Sequence, residues 1–395
     1  MTVDTSPAQD STIGGGAELL ALDAAIAAGE AVLAQRFGST ITLVEPEDLA
    51  GSGPATVVRA RIASSPFALP RTLVIKHYPE GPVPGEPDPF AQEAVSYQLF
   101  TALAAEDRMC PELVAHDGEQ RVLVVDDLGR APTLQDKLHG SDARGAERAL
   151  LSWARSLGRL HASTASREAD FNALLRRLGG PARGGDTAHE LACAQLPALL
   201  EKTVGVAVPE EIRVQVERAA DEARSMSFRA FSPVDLWPDN NLVTSDGVRF
   251  LDFERGRVRN VLVDAAYLRV PFASSPESLA LPAGMSEAMV AAWRSEVADI
   301  WPQLADDEVL SRYLLDGQLL WVWTTTWELL HALRPQAHAG PTGRAAALVT
   351  YWRELARQAE VAGAEVLTAH AVEIGDALDD RFGPGLELAL YPAFR

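Results

Sequence analysis

The amino-acid sequence predicts an α+β chain in two lobes: an N-terminal lobe with an antiparallel sheet and one long helix, and a larger, mainly helical C-terminal lobe. Three observations carry this. Short β-branched apolar runs crowd the first third, helical periodicity takes over from Leu134, and a single strand-turn-strand signal at 242–251 interrupts the helical part. With 395 residues, 47% of them hydrophobic, the chain can bury more than one core.

Residues 1–16 are small and polar and end in Gly14-Gly15-Gly16, so they cannot offset the entropy of ordering and read as a disordered tail. An amphipathic helix is expected over 17–37. Strand candidates follow at 40–44, 56–62 and 72–78, with Gly51-Ser52-Gly53 between the first two. A helix over 89–105 leads to a buried strand at 121–125, which runs into Asp126-Asp127-Leu128-Gly129 and completes an N-terminal lobe of 17–128. In the C-terminal lobe, 129–395, a long helix is expected near 143–163, a Gly/Pro-rich break at 179–185, and further helix to about Ser227. The hairpin pairs 242–244 with 248–251 around Ser245-Asp246-Gly247, and helices occupy 287–380.

Composition excludes several function classes. A net charge of -20 and a pI near 4.8 argue against a nucleic-acid partner, because phosphate backbones are held by clustered Lys and Arg. The same acidity favours cationic substrates, or serves solubility alone. No apolar run reaches the roughly 18 residues needed to cross a bilayer, and the N-terminus lacks the basic-then-apolar order of a signal peptide. No membrane partner and a cytoplasmic location are therefore expected. Two cysteines, Cys110 and Cys193, lie far apart without a CxxC partner, so neither a disulfide framework nor a structural zinc site is expected, and both read as buried, inert thiols.

Chemistry concentrates in the stretch VDLWPDNNLVTSDGVRFLDFE. Asp235 precedes a loop through Pro238, Asn240 lies five positions on, and the return of the hairpin brings Asp252 back beside that loop. Asn240 and Asp252 offer two hard oxygens of the kind Mg2+ takes alongside water and phosphate, which leaves Asp235 to accept or orient a hydroxyl proton. Capping of a turn around Pro238 explains Asp239, but not a carboxylate inside Phe250-Leu251-Asp252-Phe253. Upstream, Lys76 stands alone in the apolar Leu73-Val74-Ile75-Lys76 run. A buried ammonium needs an anion, which phosphate oxygens and Glu93 on the next helix would supply; the plainer alternative is a lysine snorkelling from an edge strand. Gly51-Ser52-Gly53 either lets backbone N–H groups approach phosphates or simply turns a hairpin. Trp321, Trp323 and Trp327, with Glu328 and His331, form either an aromatic, anionic wall for a cationic or sugar-like ligand or ordinary core packing.

The Asp235-to-Asn240 spacing followed by strand, turn, strand and Asp252 resembles the aminoglycoside phosphotransferase family, the small-molecule branch of the protein-kinase-like fold, over roughly residues 40–270. The resemblance implies a bilobal protein-kinase-like fold and an enzyme that moves the γ-phosphoryl of ATP or GTP, with Mg2+, to a hydroxyl of a small molecule such as an aminoglycoside, amino sugar or nucleoside. On the matching positions it implies Asp235 as the catalytic residue, Asn240 and Asp252 as metal ligands, and Gly51, Ser52, Gly53, Lys76 and Glu93 around the nucleotide. Asp126 to Leu128 would be the hinge whose backbone N–H and C=O groups read the adenine edge. His161, in Gly158-Arg159-Leu160-His161, resembles a Leu-His pair common in the family and reads as a structural histidine.

Three positions depart from the family's pattern. Pro233 stands where a histidine usually precedes the catalytic aspartate. Leu268 replaces the second aspartate of a D-x-x-x-D-L-A segment in which Asp264 remains, and Glu254 takes the place of the metal-loop glycine. Pro233 and Leu268 keep a second reading open, a catalytically silent nucleotide-binding regulatory protein on the same scaffold.

Overall fold

The structure is a computed structural model and describes residues 12–51, 53–84, 86–180, 187–273, 275, 278–331 and 342–395. These divide into two compact units, one of Met1–Arg130 with Ala173–Ala182, the other of Ala131–Asn172 with Arg183–Arg395. The expected α+β architecture is present, with the sheet in the first unit and most helices in the second.

The first unit contains α1 (Thr12–Phe37), β1 (Thr42–Asp48), β2 (Thr56–Ser64), β3 (Thr72–His77), α2 (Pro89–Thr101), β4 (Leu113–Asp117) and β5 (Val122–Asp126). The strands form one antiparallel sheet in the order β1-β2-β3-β5-β4, which makes β3 the central strand. Side-chain alternation sends Val58, Ala60, Leu73, Ile75, Val122 and Val124 to one face, where Ala25, Ala28, Val32 and Leu33 of α1 close the core. The helix lies so close that a Cβ on Gly29 would sit 3.0 Å from Ile75 Cγ1. Strand β4 was not expected from Leu113-Val114-Ala115-His116-Asp117, whose half-polar five residues carry little strand signal.

Helix α1 begins at Thr12, not at 17, so 12–16 belong to it and not to a tail. Each glycine costs a helix only about 1 kcal/mol against alanine, which an already nucleated helix can carry. The rest of the expected tail, 1–11, lies outside the described residues, as do Ser52 of the glycine loop and 181–185 of the expected Gly/Pro-rich break.

The second unit takes in α3 (Leu134–His139), α4 (Ala143–Thr164), the start of α5 (Glu168–Arg177), α6 (Thr187–Val204), α7 (Glu210–Ala223), β6 (Arg229–Ser232), β7 (Asn241–Thr244), β8 (Gly247–Phe250) and β9 (Arg257–Asn260). It continues through α8 (Leu262–Tyr267), α9 (Met285–Val297), α10 (Asp307–Leu330), α11 (Thr342–Val361) and α12 (Glu365–Phe382). Helix α4 buries a stripe running from Ala146 through Trp153 and Leu157 to His161 and Thr164. It meets α9 backbone to backbone, since a Cβ on Gly158 would lie 2.7 Å from Trp293 O. The hairpin β7-β8 forms where expected, but the two-stranded ladder β6-β9 was missed, because Arg-Ala-Phe-Ser and Arg-Val-Arg-Asn carry arginine where strand patterning looks for apolar residues. Among the described residues no helix is long and apolar enough to cross a membrane. Cys110 is buried, and burial pushes the half-buried Cys193 thiol up to about 11, so neither is poised to react.

Helix α12 carries a titratable group in its core. His370 is 2% exposed, edge-on to Trp352 at 6.2 Å, with no hydrogen-bond partner on either ring nitrogen among the described residues. Burial pushes its pKa down to about 4. The folded value lies below the unfolded one near 6.5, so the stability held by the neutral ring is present above about pH 6.5 and lost as the pH falls toward 4. At about 1.4 kcal/mol per pH unit the loss amounts to about 3 kcal/mol. Chemical unfolding of wild type and His370→Leu from about pH 7 to about 4 should therefore show the stability difference moving steadily in the variant's favour. A difference independent of pH would refute this account.

Candidate active site

In the first unit, Lys76 projects from the central strand, its backbone paired with Val57 on one side and Leu123 on the other. The edge-strand reading is thereby excluded. Its side chain is 11% exposed and its ammonium lies 2.5 Å from Glu93 Oε1, while the side chain of Glu93 is fully buried and also accepts a hydrogen bond from Tyr78 Oη. Helix α2 presents Glu93 there because its start is fixed: Asp88 caps it by accepting from Phe90 N–H at 3.1 Å, and Arg121 grips Asp88 through two nitrogens at 2.9 and 2.8 Å.

Gly51 lies in the β1-β2 connection, where a Cβ would meet nothing closer than Val57 Cγ2 at 3.7 Å, so packing does not demand glycine. Ser52 lies outside the described residues, and Gly53 follows it in the same connection. At the end of β5, Asp126 donates its N–H to Glu112 O at 2.9 Å and its carboxylate accepts from Glu112 N–H at 2.5 Å, so both groups serve the β4-β5 ladder. Burial raises the Asp126 carboxyl above its ordinary range. Asp127 is gripped by Arg59 at 3.0 and 3.1 Å; burial would raise its carboxyl, but the Arg59 hydrogen bonds hold it below the usual range. Leu128 is half-buried beside it.

In the second unit, the loop between β6 and β7 alternates buried anchors, Pro233, Leu236 and Pro238, with half-exposed Asp235, Trp237 and Asn240. A tight three-residue turn, closed by Asp235 N–H to Pro233 O at 2.8 Å, holds Val234 at φ 67°, where a β-branched residue is strained. Trp237 N–H then donates to Asp235 Oδ1 at 3.2 Å. Burial pushes the Asp235 carboxyl up, and the charges of Asp252 and Asp239 add to that against the opposing effects of Trp237 N–H and Arg255. Register does the rest: Asn241 pairs with Phe250, and Leu251 N–H donates to Asn240 O at 3.0 Å, so Asn240 and the residue preceding Asp252 are cross-strand neighbours. Asp235, Asn240 and Asp252 are thus drawn to one end of the hairpin. Exposed Arg255 is a further cation there, which nothing in the sequence separated from Arg249 or Arg257.

Beneath the loop lies a buried polar cluster. Asp264 is fully enclosed and accepts from His161 Nε2 at 3.0 Å, from Arg259 Nη2 and from the Ser232 hydroxyl. Trp293 Nε1 donates to His161 Nδ1 at 3.0 Å, so Nε2 carries the ring proton that Asp264 receives. Burial alone would raise the Asp264 carboxyl; the Arg259 charge and the His161 hydrogen bond reverse this and bring it down to about 2. Leu268 is fully buried, and Asp264 is the carboxylate of this cluster.

The tryptophan stripe does not form one wall. Trp321 turns to α8, donating to Val263 O at 2.7 Å and stacking near Tyr267. Trp323 is core, donating to Ala192 O at 3.1 Å, and only Trp327 and His331 stay together, 6.2 Å apart, beside exposed Glu328.

Among the described residues no cluster of three or more His, Cys, Asp or Glu could hold a metal. Among the described residues no all-protein cage of the zinc or calcium kind is formed, whereas Asn240 and Asp252 offer two hard oxygens of the kind Mg2+ takes when water and phosphates complete its octahedron. The donor set fits that ion.

No protein-family model and no curated protein matches the sequence. Solved structures do match. They include the choline kinase LicA from Streptococcus pneumoniae (14% identity, 86% of this chain and 99% of that one, TM-score 0.41). A choline/ethanolamine kinase family protein from Mesorhizobium loti matches at 17% identity over 83% and 92% of the chains, with TM-score 0.45. A thermostable mutant of aminoglycoside phosphotransferase APH(4)-Ia matches at 16% identity over 88% and 97%, with TM-score 0.39.

The buried cluster has a measurable consequence for stability. Asp264→Asn leaves the Arg259 guanidinium uncompensated where water does not reach, and should cost about 3–5 kcal/mol in urea unfolding. A loss below about 1 kcal/mol would mean that Arg259 finds other partners.

Proposed function

We propose that this chain is an Mg2+-dependent phosphotransferase that moves the γ-phosphoryl of ATP or GTP to a hydroxyl of a small molecule. The observation that carries the reading is the gathering of Asp235, Asn240 and Asp252 at one end of the β7-β8 hairpin, with the Asp235 carboxyl raised in proton affinity. Such a carboxyl takes a proton from an attacking hydroxyl more readily than an ordinary surface carboxylate. Asn240 and Asp252 hold Mg2+, and Arg255 adds positive charge near Asp235. Held there with the nucleotide, the ion would offset the charge that develops on the transferred group.

In the first unit Lys76, kept in place by Glu93, donates to α- and β-phosphate oxygens, and the backbone around Gly51 and Gly53 approaches the phosphates. Of the expected hinge Asp126 to Leu128, Asp127 and Leu128 offer backbone groups to the adenine edge, the Asp126 N–H being taken by Glu112 O. The net charge of -20 makes cationic alcohols the first acceptors to try, ahead of neutral sugars and nucleosides. In this reading the protein is cytoplasmic and needs neither nucleic acid nor a membrane. Pro233 and Leu268 favour the second reading, a silent nucleotide binder.

A screen of aminoglycosides, amino sugars, nucleosides and choline-like alcohols, read by nucleotide consumption, separates the two. Turnover with at least one acceptor is expected, lowered about 10²–10⁴-fold by Asp235→Ala with Mg-ATP affinity spared. Lys76→Ala should lose nucleotide affinity instead. Thermal stabilisation by Mg-ATP with no turnover on any hydroxyl compound would favour the silent binder, and full activity in Asp235→Ala would end the proposal.

A further inference from the structure

We propose that Ser232 is the positioning residue that holds Asp235 in place, taking over the brace that Pro233 and Leu268 cannot give. The inference rests on the reading of Asp235 as the group that receives the hydroxyl proton. Pro233 has no N–H to donate, and Leu268 has no polar atom, so a support for the turn must come from elsewhere in the loop's surroundings.

Ser232 closes β6 and is fully buried. A hydroxyl has one hydrogen and two lone pairs, and here all three are used. The hydrogen goes to Asp264, one lone pair takes Arg259 Nε–H at 3.0 Å, and the other takes Val234 N–H at 3.0 Å. With no rotor left free, the Oγ position is fixed by the buried cluster, and through Val234 N–H it fixes the turn.

That turn needs fixing. Val234 at φ 67° sits where an unrestrained valine would not stay, and its peptide leads directly into Asp235, whose N–H closes the turn on Pro233 O. Without the Ser232 oxygen the valine is free to relax to negative φ, which swings the Asp235 carboxyl away from the hairpin end where Asn240 and Asp252 lie. A line of hydrogen bonds thus runs from Trp293 through His161, Asp264 and Ser232 to Val234. The links from Trp293 to Ser232 are buried and the last, to Val234 N–H, is part-buried, so an unmet partner is costly and the arrangement correspondingly well defined.

The test uses the full chain and phosphate release from Mg-ATP without acceptor, together with amide hydrogen exchange at Val234. Ser232→Ala should lower kcat about 10–100-fold while the KM for Mg-ATP stays within about 2-fold, because position and not nucleotide binding is lost. Ser232→Thr, which keeps the oxygen, should return kcat to within a few-fold of wild type. In the Ser232→Ala background, Val234→Gly should recover part of the loss, since glycine holds positive φ without a brace. The Val234 amide should be protected in wild type and exchange faster in Ser232→Ala.

Wild-type release that persists unchanged in Ser232→Ala overturns the role of Ser232 and leaves the reading of Asp235 standing. Losses of kcat, nucleotide affinity and thermal stability together, with no recovery on adding Val234→Gly, also overturn it, because they mark a general structural role. A wild type that releases no phosphate although its Val234 amide is protected overturns the reading of Asp235, and the inference with it.

Discussion

A carboxylate enclosed away from water sets the terms for the second unit. Asp264 would take up a proton unless its surroundings supplied donors, and a full complement is reached only when α4 presents His161, β9 presents Arg259 and β6 presents Ser232 at once. Hydrogen bonds are directional and van der Waals contacts are not, so the cluster specifies the relative placement of these elements more sharply than their apolar packing does. The close approach of α4 to α9 at Gly158 belongs to the same arrangement, because it brings Trp293 to His161.

The first unit solves a similar problem with opposite charge. An ammonium on a central strand cannot snorkel past neighbouring strands, so Lys76 must be met where it lies, and Glu93 is brought to it by a helix whose start is capped by Asp88 and clamped by Arg121. Stability does not account for this pair. Taking two charges out of water costs about as much as their attraction returns, and a well-packed apolar pair of similar volume is often as stable or more so. What the pair achieves is direction, since Glu93 is itself held by Tyr78 and leaves the ammonium a narrow range of positions. That suits the phosphate-meeting role proposed for Lys76.

Much of this was legible before any coordinates. Lysine in an apolar run, aspartate and asparagine five residues apart, and a carboxylate closing the second strand of a hairpin are local patterns, and local patterns survive in a linear reading. The hairpin formed where expected, though its turn is the two residues Ser245-Asp246, with Gly247 paired to Thr244, and not the three residues Ser245-Asp246-Gly247. What the sequence hid was of two kinds. Strands β4, β6 and β9 are four or five residues long and carry charged or half-polar side chains, so their strand character comes from their partners and not from their own composition. Arg259, Ser232 and Tyr78 matter only through residues distant in the chain, and nothing marks a serine before a proline as a brace. The tryptophans illustrate the reverse error: helical spacing suggested a shared face, but Trp321 and Trp323 turn to different neighbours.

The costs in the second unit fall where they would be tolerated for a reason. Among the described residues at positive φ other than glycine, Val234 alone is β-branched, and such a conformation costs about 1–3 kcal/mol. The cluster under it is no help to stability, since apolar replacements of buried ion pairs are often neutral or stabilising by about 1–4 kcal/mol. Strained turn and buried charge are joined through Ser232, and the residue that follows the turn is Asp235, whose backbone is anchored on either side by buried Pro233 and Leu236. A chain selected for stability alone would have shed both costs, the first by glycine at 234 and the second by apolar side chains in place of Asp264 and Arg259 together. Both are kept, adjacent and coupled, and their common product is the position of one carboxylate.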